Sequence, residues 1–297
     1  MDTHDAARTR AADGWRALRA FFSEGARHLP EAIGAFEEAE RLLRRSAAGT
    51  HDDAAAGDVE GVLLGLSIAL RLGRRPEDVR RAIVLVQELL NVVRRRSGEA
   101  AAVPLRAYLE DAYRDLADVT EGDEAVRAAD EGIEACNRTL ALARRFHVDD
   151  AVAHARATKA LLLRRLAAVR PPAKGEAGTD TRALLREADR LTAAGLAGWP
   201  ARDAEGLASF QADVATALVE GPSPRPSAVE RAESLLRRAE RAVPAENRYL
   251  AARLARARAR VALAADRPDA LDAVTAAAAA FRDLGLEREA EEVEHWL

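Results

Sequence analysis

A histidine and an aspartate near the middle of the chain have the spacing of metal ligands. In segment 147–154 (HVDDAVAH), Asp150 and His154 lie four residues apart, which is about one turn of a helix. The alternative is that Asp149 or Asp150 caps a helix while His147 and His154 are both solvated. The sequence favours this alternative because it contains no HExxH motif. We therefore predict no metal ion and no cofactor.

Cys136 is the only cysteine of the chain, which excludes an intrachain disulfide framework and a multi-cysteine zinc site. To act as a nucleophile, its thiol would need a histidine partner and an electropositive environment. Cys136 falls on an apolar helical stripe with Ile133 and Leu140, so we expect it to be a small core residue.

Signatures of other enzyme classes are absent from the sequence. It has no GxxxxGK[ST] or GxGxxG loop for binding phosphates. The acid pairs at 52–53 and 149–150 lack the third acid of the class I terpene synthase motif, and 6 Phe, 3 Trp and 3 Tyr are few for stabilising carbocations. The sequence predicts a protein that is not an enzyme, and an all-α enzyme without a recognisable motif is a further alternative.

A row of arginines near the C-terminal end is the main candidate for partner binding. The row lies beside the apolar stripe of the same predicted helix, within about 60° on a helical wheel, and consists of Arg253, Arg256, Arg260 and Arg267. Guanidinium groups in such a row suit an acidic or carboxylate-bearing segment of another protein. The alternative is that they cover the seam between hairpins and pair with acids of the neighbouring hairpin.

Lys159 is the second candidate for partner binding. It lies within the arc of the apolar residues Val152, Ala155, Leu162 and Leu166, where a charge is unusual. We expect its stem to pack between helices with the ammonium group reaching an acid. The alternative is a cation that faces a ligand in a groove.

The charge of the chain is nearly balanced, with 45 basic and 49 acidic residues and a formal net charge of −4. No global field therefore draws it to nucleic acid or to an anionic membrane. The arginines at 94–96 and 248–260 could contact phosphates, but acids are interleaved and no recognition module is evident, so we expect no nucleic-acid partner. The start, MDTHDAARTR, lacks an apolar signal segment, and we expect a cytoplasmic protein that does not enter membranes.

Helices must position these side chains, because apolar residues recur at helical spacing along almost the whole chain and no segment shows sustained alternation. About a quarter of the residues are Ala, the best helix former. Gly-, Pro- and Ser-rich loops separate the helical segments at 46–57, 97–104, 171–180 and 221–226. Pro76 suits a first helical turn, and Ser227 with Glu230 has capping-box spacing. The sequence predicts an all-α protein.

Several helical segments share a pattern of small and large apolar residues. Second helices of successive hairpins carry Ala32–Phe36–Ala39, Ala232–Leu236–Ala239 and Ala270–Val274–Ala277. First helices carry Trp15, Leu18 and Phe22, and also Leu64, Gly65 and Ile68, where Gly65 matches the position at which a small residue lets helices approach closely in the family that this pattern resembles. These residues resemble the tetratricopeptide repeat, a helix–turn–helix unit of 34 residues. The second-helix positions are mostly spaced by well above 34 residues and the closing Pro is largely missing, so longer helices and loops than the family standard are expected.

The resemblance implies a right-handed α-solenoid of about six helix–turn–helix pairs, and the alternative is a compact helical bundle of another family. One apolar face, formed by Leu286, Ala290, Val293 and Leu297, predicts a capping helix over residues 286–297, and the alternative is a tail that docks elsewhere. We expect a single domain over 1–297, with a possible sub-division at the loop 171–180. Such a fold implies a non-catalytic scaffold that binds another protein or peptide in a concave groove, and the arginine row favours a partner with an acidic segment. The alternative is a sensor or adaptor arm of a bacterial signalling or defence system that works with a separately encoded enzyme.

Overall fold

The computed structural model describes residues 3–46, 53–170, 177–220 and 224–297, and within these ranges it contains fourteen α-helices and no β-strand. The prediction of an all-α protein is confirmed. The helices are α1 (Thr3–Glu24), α2 (His28–Ser46), α3 (Asp53–Leu72), α4 (Pro76–Ser97), α5 (Glu99–Ala102), α6 (Arg106–Val119), α7 (Gly122–Phe146), α8 (Asp149–Val169), α9 (Ala177–Gly198), α10 (Ala204–Leu218), α11 (Pro226–Glu240), α12 (Arg248–Ala264), α13 (Ala270–Arg282) and α14 (Glu287–Glu294).

Consecutive helices pack as neighbours, as expected for helix–turn–helix pairs. The pairs α3/α4, α6/α7, α8/α9, α10/α11 and α12/α13 are each in contact, and α5 is a single turn in the connection from α4 to α6. In the first pair, the ring of Trp15 on α1 meets the edge of Phe36 on α2 at a centroid distance of 5.4 Å. In chain order, the described helices therefore form six pairs, and α14 follows the last pair as a single helix.

The chain divides into two compact units. Unit 1 comprises residues 1–18 and 29–199, and unit 2 comprises residues 19–28 and 200–297. The division runs through α1, whose last residues belong to unit 2. The possible sub-division at 171–180 stays a prediction, because residues 171–176 lie outside the described part of the chain.

In unit 1, glycines allow Phe36 to pack between helices. Phe36 is fully buried, and a Cβ atom added to Gly65 on α3 would lie 2.3 Å from the phenyl Cζ atom. A Cβ atom on Gly14 of α1 would lie 2.8 Å from the same ring. The predicted close approach at Gly65 is confirmed, because only a residue without a side chain leaves room for this aromatic ring.

Charged side chains show that several neighbouring helices of unit 1 are related by the same spacing in sequence. Glu37 of α2 accepts a hydrogen bond from Arg81 of α4, and Glu124 of α7 accepts one from Arg80 of α4, in both cases across 44 residues. The first helices α3 and α6 are joined in the same way by Arg71 and Asp115, also 44 residues apart. Second helices thus lie beside second helices and first beside first, with a repeat longer than 34 residues, as predicted.

Unit 2 is closed by the turn that follows α1. The amide of Ala26 donates to the Leu284 carbonyl at 2.6 Å, and a Cβ atom on Gly25, whose φ is +104°, would lie 2.2 Å from that carbonyl oxygen. Phe21 is fully buried and its ring contacts Tyr249 of α12 at a centroid distance of 5.1 Å. A glycine at position 25 is therefore required by both the backbone conformation and the close approach.

The predicted capping helix is present as α14, which packs on α13. Leu286, Ala290 and Val293 are buried, as the apolar stripe predicted. Leu297 was expected on the same face but is 68% exposed, because the helix ends at Glu294 and the stripe does not continue past it. No helix in the described ranges is long and apolar enough to span a membrane.

Two smaller expectations about helix faces and ends are wrong. The buried aromatic of α1 is Phe21, and Phe22 is only half-buried, because the buried face of this helix passes through the small residue Gly14. Ser227 does not cap α11, since the helix already begins at Pro226 with Arg225 as its N-cap residue. Pro76 does occupy the first turn of α4, as predicted.

Candidate functional site

Two members of the predicted arginine row contact acids of neighbouring helices in unit 2. Arg253 of α12 donates to the Ser209 hydroxyl of α10 at 2.8 Å and forms an ion pair with Asp213 of the same helix. Arg267 forms an ion pair with Glu233 of α11. Arg267 does not share a face of α12 with the others, because the helix ends at Ala264 and the following turn redirects the chain.

The other two arginines converge on the segment that follows α14. The Cζ atoms of Arg256 and Arg260 lie 6.0 and 5.2 Å from the ring centroid of Trp296. Arg256 Nη1 is also 3.8 Å from Glu292 Oε2. The structure therefore brings Arg256 and Arg260 together at one aromatic ring, whereas Arg253 and Arg267 lie at separate ion pairs.

Lys159 is half-buried on α8 in unit 1, away from the arginine row in the sequence and in the other unit. Its ammonium group donates a 2.8 Å hydrogen bond to Asn137 Oδ1 of α7. The expected contact with an acid is replaced by a contact with an amide, which holds the lysine between α7 and α8. This arrangement resembles the expected structural role more than the alternative of a cation directed into a groove.

Sequence reasoning missed a polar network in unit 1, which we call the Asp111 network: Arg71 on α3, Asp111, Arg114 and Asp115 on α6, and His154 on α8. Asp111 lies 3.3 Å from His154 Nε2 and 3.4 Å from Arg71 Nη2. Asp115 accepts from Arg71 at 2.7 Å and lies 3.2 Å from Arg114. The expectation that His154 is solvated is wrong, because α6 and α8 pack together and place its ring against Asp111 and, at 5.8 Å, the ring of Trp199.

Electrostatic interactions within this network favour the charged forms of Asp111 and His154. Burial alone raises the pKa of Asp111, but His154, Arg114 and Arg71 lower it well below its usual range. Burial alone lowers the pKa of His154, but the Asp111 carboxylate raises it above its usual value. The raised pKa of His154 favours the imidazolium form in this contact, which joins two first helices of unit 1.

Glu110 lies next to Asp111 in sequence but in a different environment. Its side chain is 0% exposed, and neither carboxylate oxygen has a hydrogen-bond partner in the described structure. Thr139 is close by, but its hydroxyl donates to the Ala135 carbonyl at 3.1 Å. Burial raises the pKa of Glu110 to about 7, although His154 lowers it in part.

The remaining candidates for chemistry have structural surroundings. Cys136 is fully buried, which confirms its place in the core, and burial together with Glu110 and Asp111 raises the pKa of its thiol. No three His, Cys, Asp or Glu side chains within the described ranges are grouped so that they could hold a metal ion. Asp52, from the acid pair at 52–53, lies outside these ranges.

A periodic signal in the sequence could have identified part of the Asp111 network. Arg71 and Asp115 are separated by the same 44 residues as the surface pairs Arg81–Glu37 and Arg80–Glu124. Searching for opposite charges at a constant long spacing would therefore have linked α3 to α6. His154 and Asp111 do not have this 44-residue spacing, and their contact follows only from the packing of α6 and α8.

Comparison with models of protein families and with curated proteins identifies no relative of this chain. The chain matches no model of a protein family, and a search of curated proteins gives no significant match.

Proposed function

We propose that this chain is a non-catalytic, tetratricopeptide-like scaffold in the cytoplasm that binds another protein through the surface of stacked helix pairs. The observation that carries the proposal is the register of 44 residues that the second helices of the first three pairs of unit 1 share, and that also relates α3 to α6. Stacked pairs with a fixed register expose long rows of equivalent positions, and such surfaces bind extended peptides or protein domains.

The surface we assign to the partner is the face of α12 that carries Arg256 and Arg260. Both side chains are half-buried at the edge of the apolar stripe formed by Leu254, Ala257 and Val261, which are buried. Arginine binds carboxylates with paired hydrogen bonds, so an acidic segment of the partner fits this surface. Arg253 and Arg267 contribute less, because Asp213 and Glu233 already pair with them.

The test is capture of a partner from native cell extract by three forms of the full chain. The first is the unchanged chain, and the second carries Arg256→Glu and Arg260→Glu. The matched control carries Arg238→Glu and Arg241→Glu, which change the charge equally at exposed positions at the end of α11 in the same unit. Circular dichroism should show the same helix content in all three forms.

We expect a partner that the unchanged chain and the control retain and that the Arg256/Arg260 variant loses. The affinity for this partner should decrease with salt, and the variant should show a flatter salt dependence. Equal capture by all three forms would contradict the assigned surface.

A further inference from the structure

A surface of unit 2 already holds a segment of the chain itself. Arg256 and Arg260 lie one turn apart on α12, and Glu292 and Trp296 are likewise four residues apart. The guanidinium carbons lie 6.0 and 5.2 Å from the Trp296 ring centroid, and Arg256 Nη1 lies 3.8 Å from Glu292 Oε2. Two cations thus meet one carboxylate and one indole ring.

This contact is separable from the docking of α14. Leu286, Ala290 and Val293 are buried, and α14 packs on α13. Trp296 follows the end of α14, is half-buried, and precedes Leu297, which is 68% exposed. Cation–π contacts and partly exposed ion pairs are individually weak. Trp296 can therefore leave the arginines while α14 remains in place.

The two arginines fit a protein segment better than a polyanion. Arg253 and Arg267, the other members of the row, are engaged by Asp213 and Glu233, so two members of the row face the Trp296 ring. Arg288 of α14 also pairs with Glu292, at 3.4 Å. Nucleic-acid binding depends on neutralising many phosphates at once. One carboxylate and one aromatic ring, in contrast, satisfy a pair of guanidinium groups through an ion pair and cation–π contacts.

We propose that Arg256 and Arg260 form a docking site for a partner segment in which a carboxylate precedes an aromatic residue by one helical turn, and that Glu292 and Trp296 occupy this site as an internal competitor. The proposal rests on the proposed function of partner binding and adds the chemistry of the partner. A partner must displace Trp296, so its affinity is reduced in proportion to the fraction of molecules in which Trp296 is docked.

The test uses a fluorescent peptide with the sequence of residues 289–297 (EAEEVEHWL) and the full-length chain at low salt. Binding is measured by anisotropy for the unchanged chain, for Trp296→Ala, and for Trp296→Ala combined with Arg256→Ala and Arg260→Ala. We expect Trp296→Ala to bind the peptide about tenfold more tightly than the unchanged chain, because the competitor is removed. The triple variant should lose this binding. A peptide with alanine in place of its tryptophan is the ligand control, and helix content checks the fold.

If the unchanged chain and Trp296→Ala bind the peptide equally well, Trp296 is not an internal competitor. If the triple variant still binds the peptide strongly, Arg256 and Arg260 do not form the docking site. These results are independent of the capture experiment. If a natural partner depends on Arg256 and Arg260 but the peptide does not bind Trp296→Ala, this inference fails and the proposed function stands. If the peptide binds as expected but the partner is captured equally well by the Arg256/Arg260 variant, the proposed binding surface is wrong instead.

Discussion

The two units use arginine–acid pairs in different ways. In unit 1, Asp111 contacts Arg71 and His154 from two other helices, and the Arg71 side chain is only 12% exposed. In unit 2, Glu233 pairs with Arg267, whose side chain is 43% exposed, and with Arg237 on its own helix. Removing Asp111 takes the carboxylate away from His154 and leaves Asp115 alone to balance the poorly hydrated Arg71 and Arg114, whereas removing Glu233 leaves arginines that water can solvate. The first arrangement is structural, and the second can exchange partners.

The largest expected effect is that of Asp111→Asn. The variant leaves Arg71 and His154 facing a neutral amide in a partly buried site, so we expect a loss of about 3 kcal/mol in the free energy of unfolding near neutral pH. The measurement is equilibrium unfolding in urea. The pKa of Asp111 is lower in the folded chain than the value of 3.8 in the unfolded chain. The ionised carboxylate therefore stabilises the fold above pH 3.8, and this contribution to the free energy of unfolding is lost as the pH falls toward the folded pKa.

Glu233→Gln is the matched control for Asp111→Asn, because the two acid side chains are similarly exposed, at 23% and 20%. We expect Glu233→Gln to cost less than about 1 kcal/mol, since its arginines remain accessible to solvent. Equal costs for the two variants would break the distinction between a structural network and an exchangeable pair.

Glu110 extends the comparison to a buried acid without a partner. Its folded pKa of about 7 lies above the value of 4.5 for the unfolded chain, so its contribution to stability is complete below pH 4.5 and is lost as the pH rises through about 7. Unfolding free energy should therefore decline by about 2 kcal/mol between about pH 5 and about pH 8. Glu110→Gln has no proton to lose and should flatten this decline. Urea unfolding of the unchanged chain and of Glu110→Gln at a series of pH values tests this prediction. Identical dependence of the unfolding free energy on pH in the two proteins would mean that folding does not raise the pKa of Glu110.

The smallest expected effect is that of Arg81→Ala. This variant removes a pair with Glu37 that has the same 44-residue spacing as Arg71–Asp115 but two exposed partners. We expect a loss of at most about 0.5 kcal/mol, which should vanish at high salt. A cost close to that of Asp111→Asn would show that register, and not burial, determines the energetic weight of these pairs.

Local spacing predicted the elements because each helix is specified by its own apolar stripe. Phe36, Ala39 and Leu43 are buried as expected, and the six pairs and α14 follow in the predicted order. A helical wheel holds only within one helix, however. It failed for Arg267 and Leu297, because α12 and α14 end before these residues.

The candidate site was less predictable than the helices because its contacts join distant segments. His154 was expected to be solvated, but the packing of α6 and α8 places it beside Asp111. The contact between Arg256 and Trp296 likewise joins α12 to the segment after α14, and nothing in the local pattern of either specifies the other. Identifying such partners requires the register between helices, which the sequence shows only through the spacing of opposite charges.

The division of α1 between the two units has a consequence for the order of synthesis. Residues 19–28 are made early, but the unit that they complete consists otherwise of residues 200–297. Roughly 170 residues must be translated in between, which takes on the order of ten seconds or more at cellular rates. During this interval Phe21 has no Tyr249 to pack against, and Gly25 has no Leu284 carbonyl to approach. On the ribosome, unit 2 can therefore be completed only after the last helices of the chain have emerged.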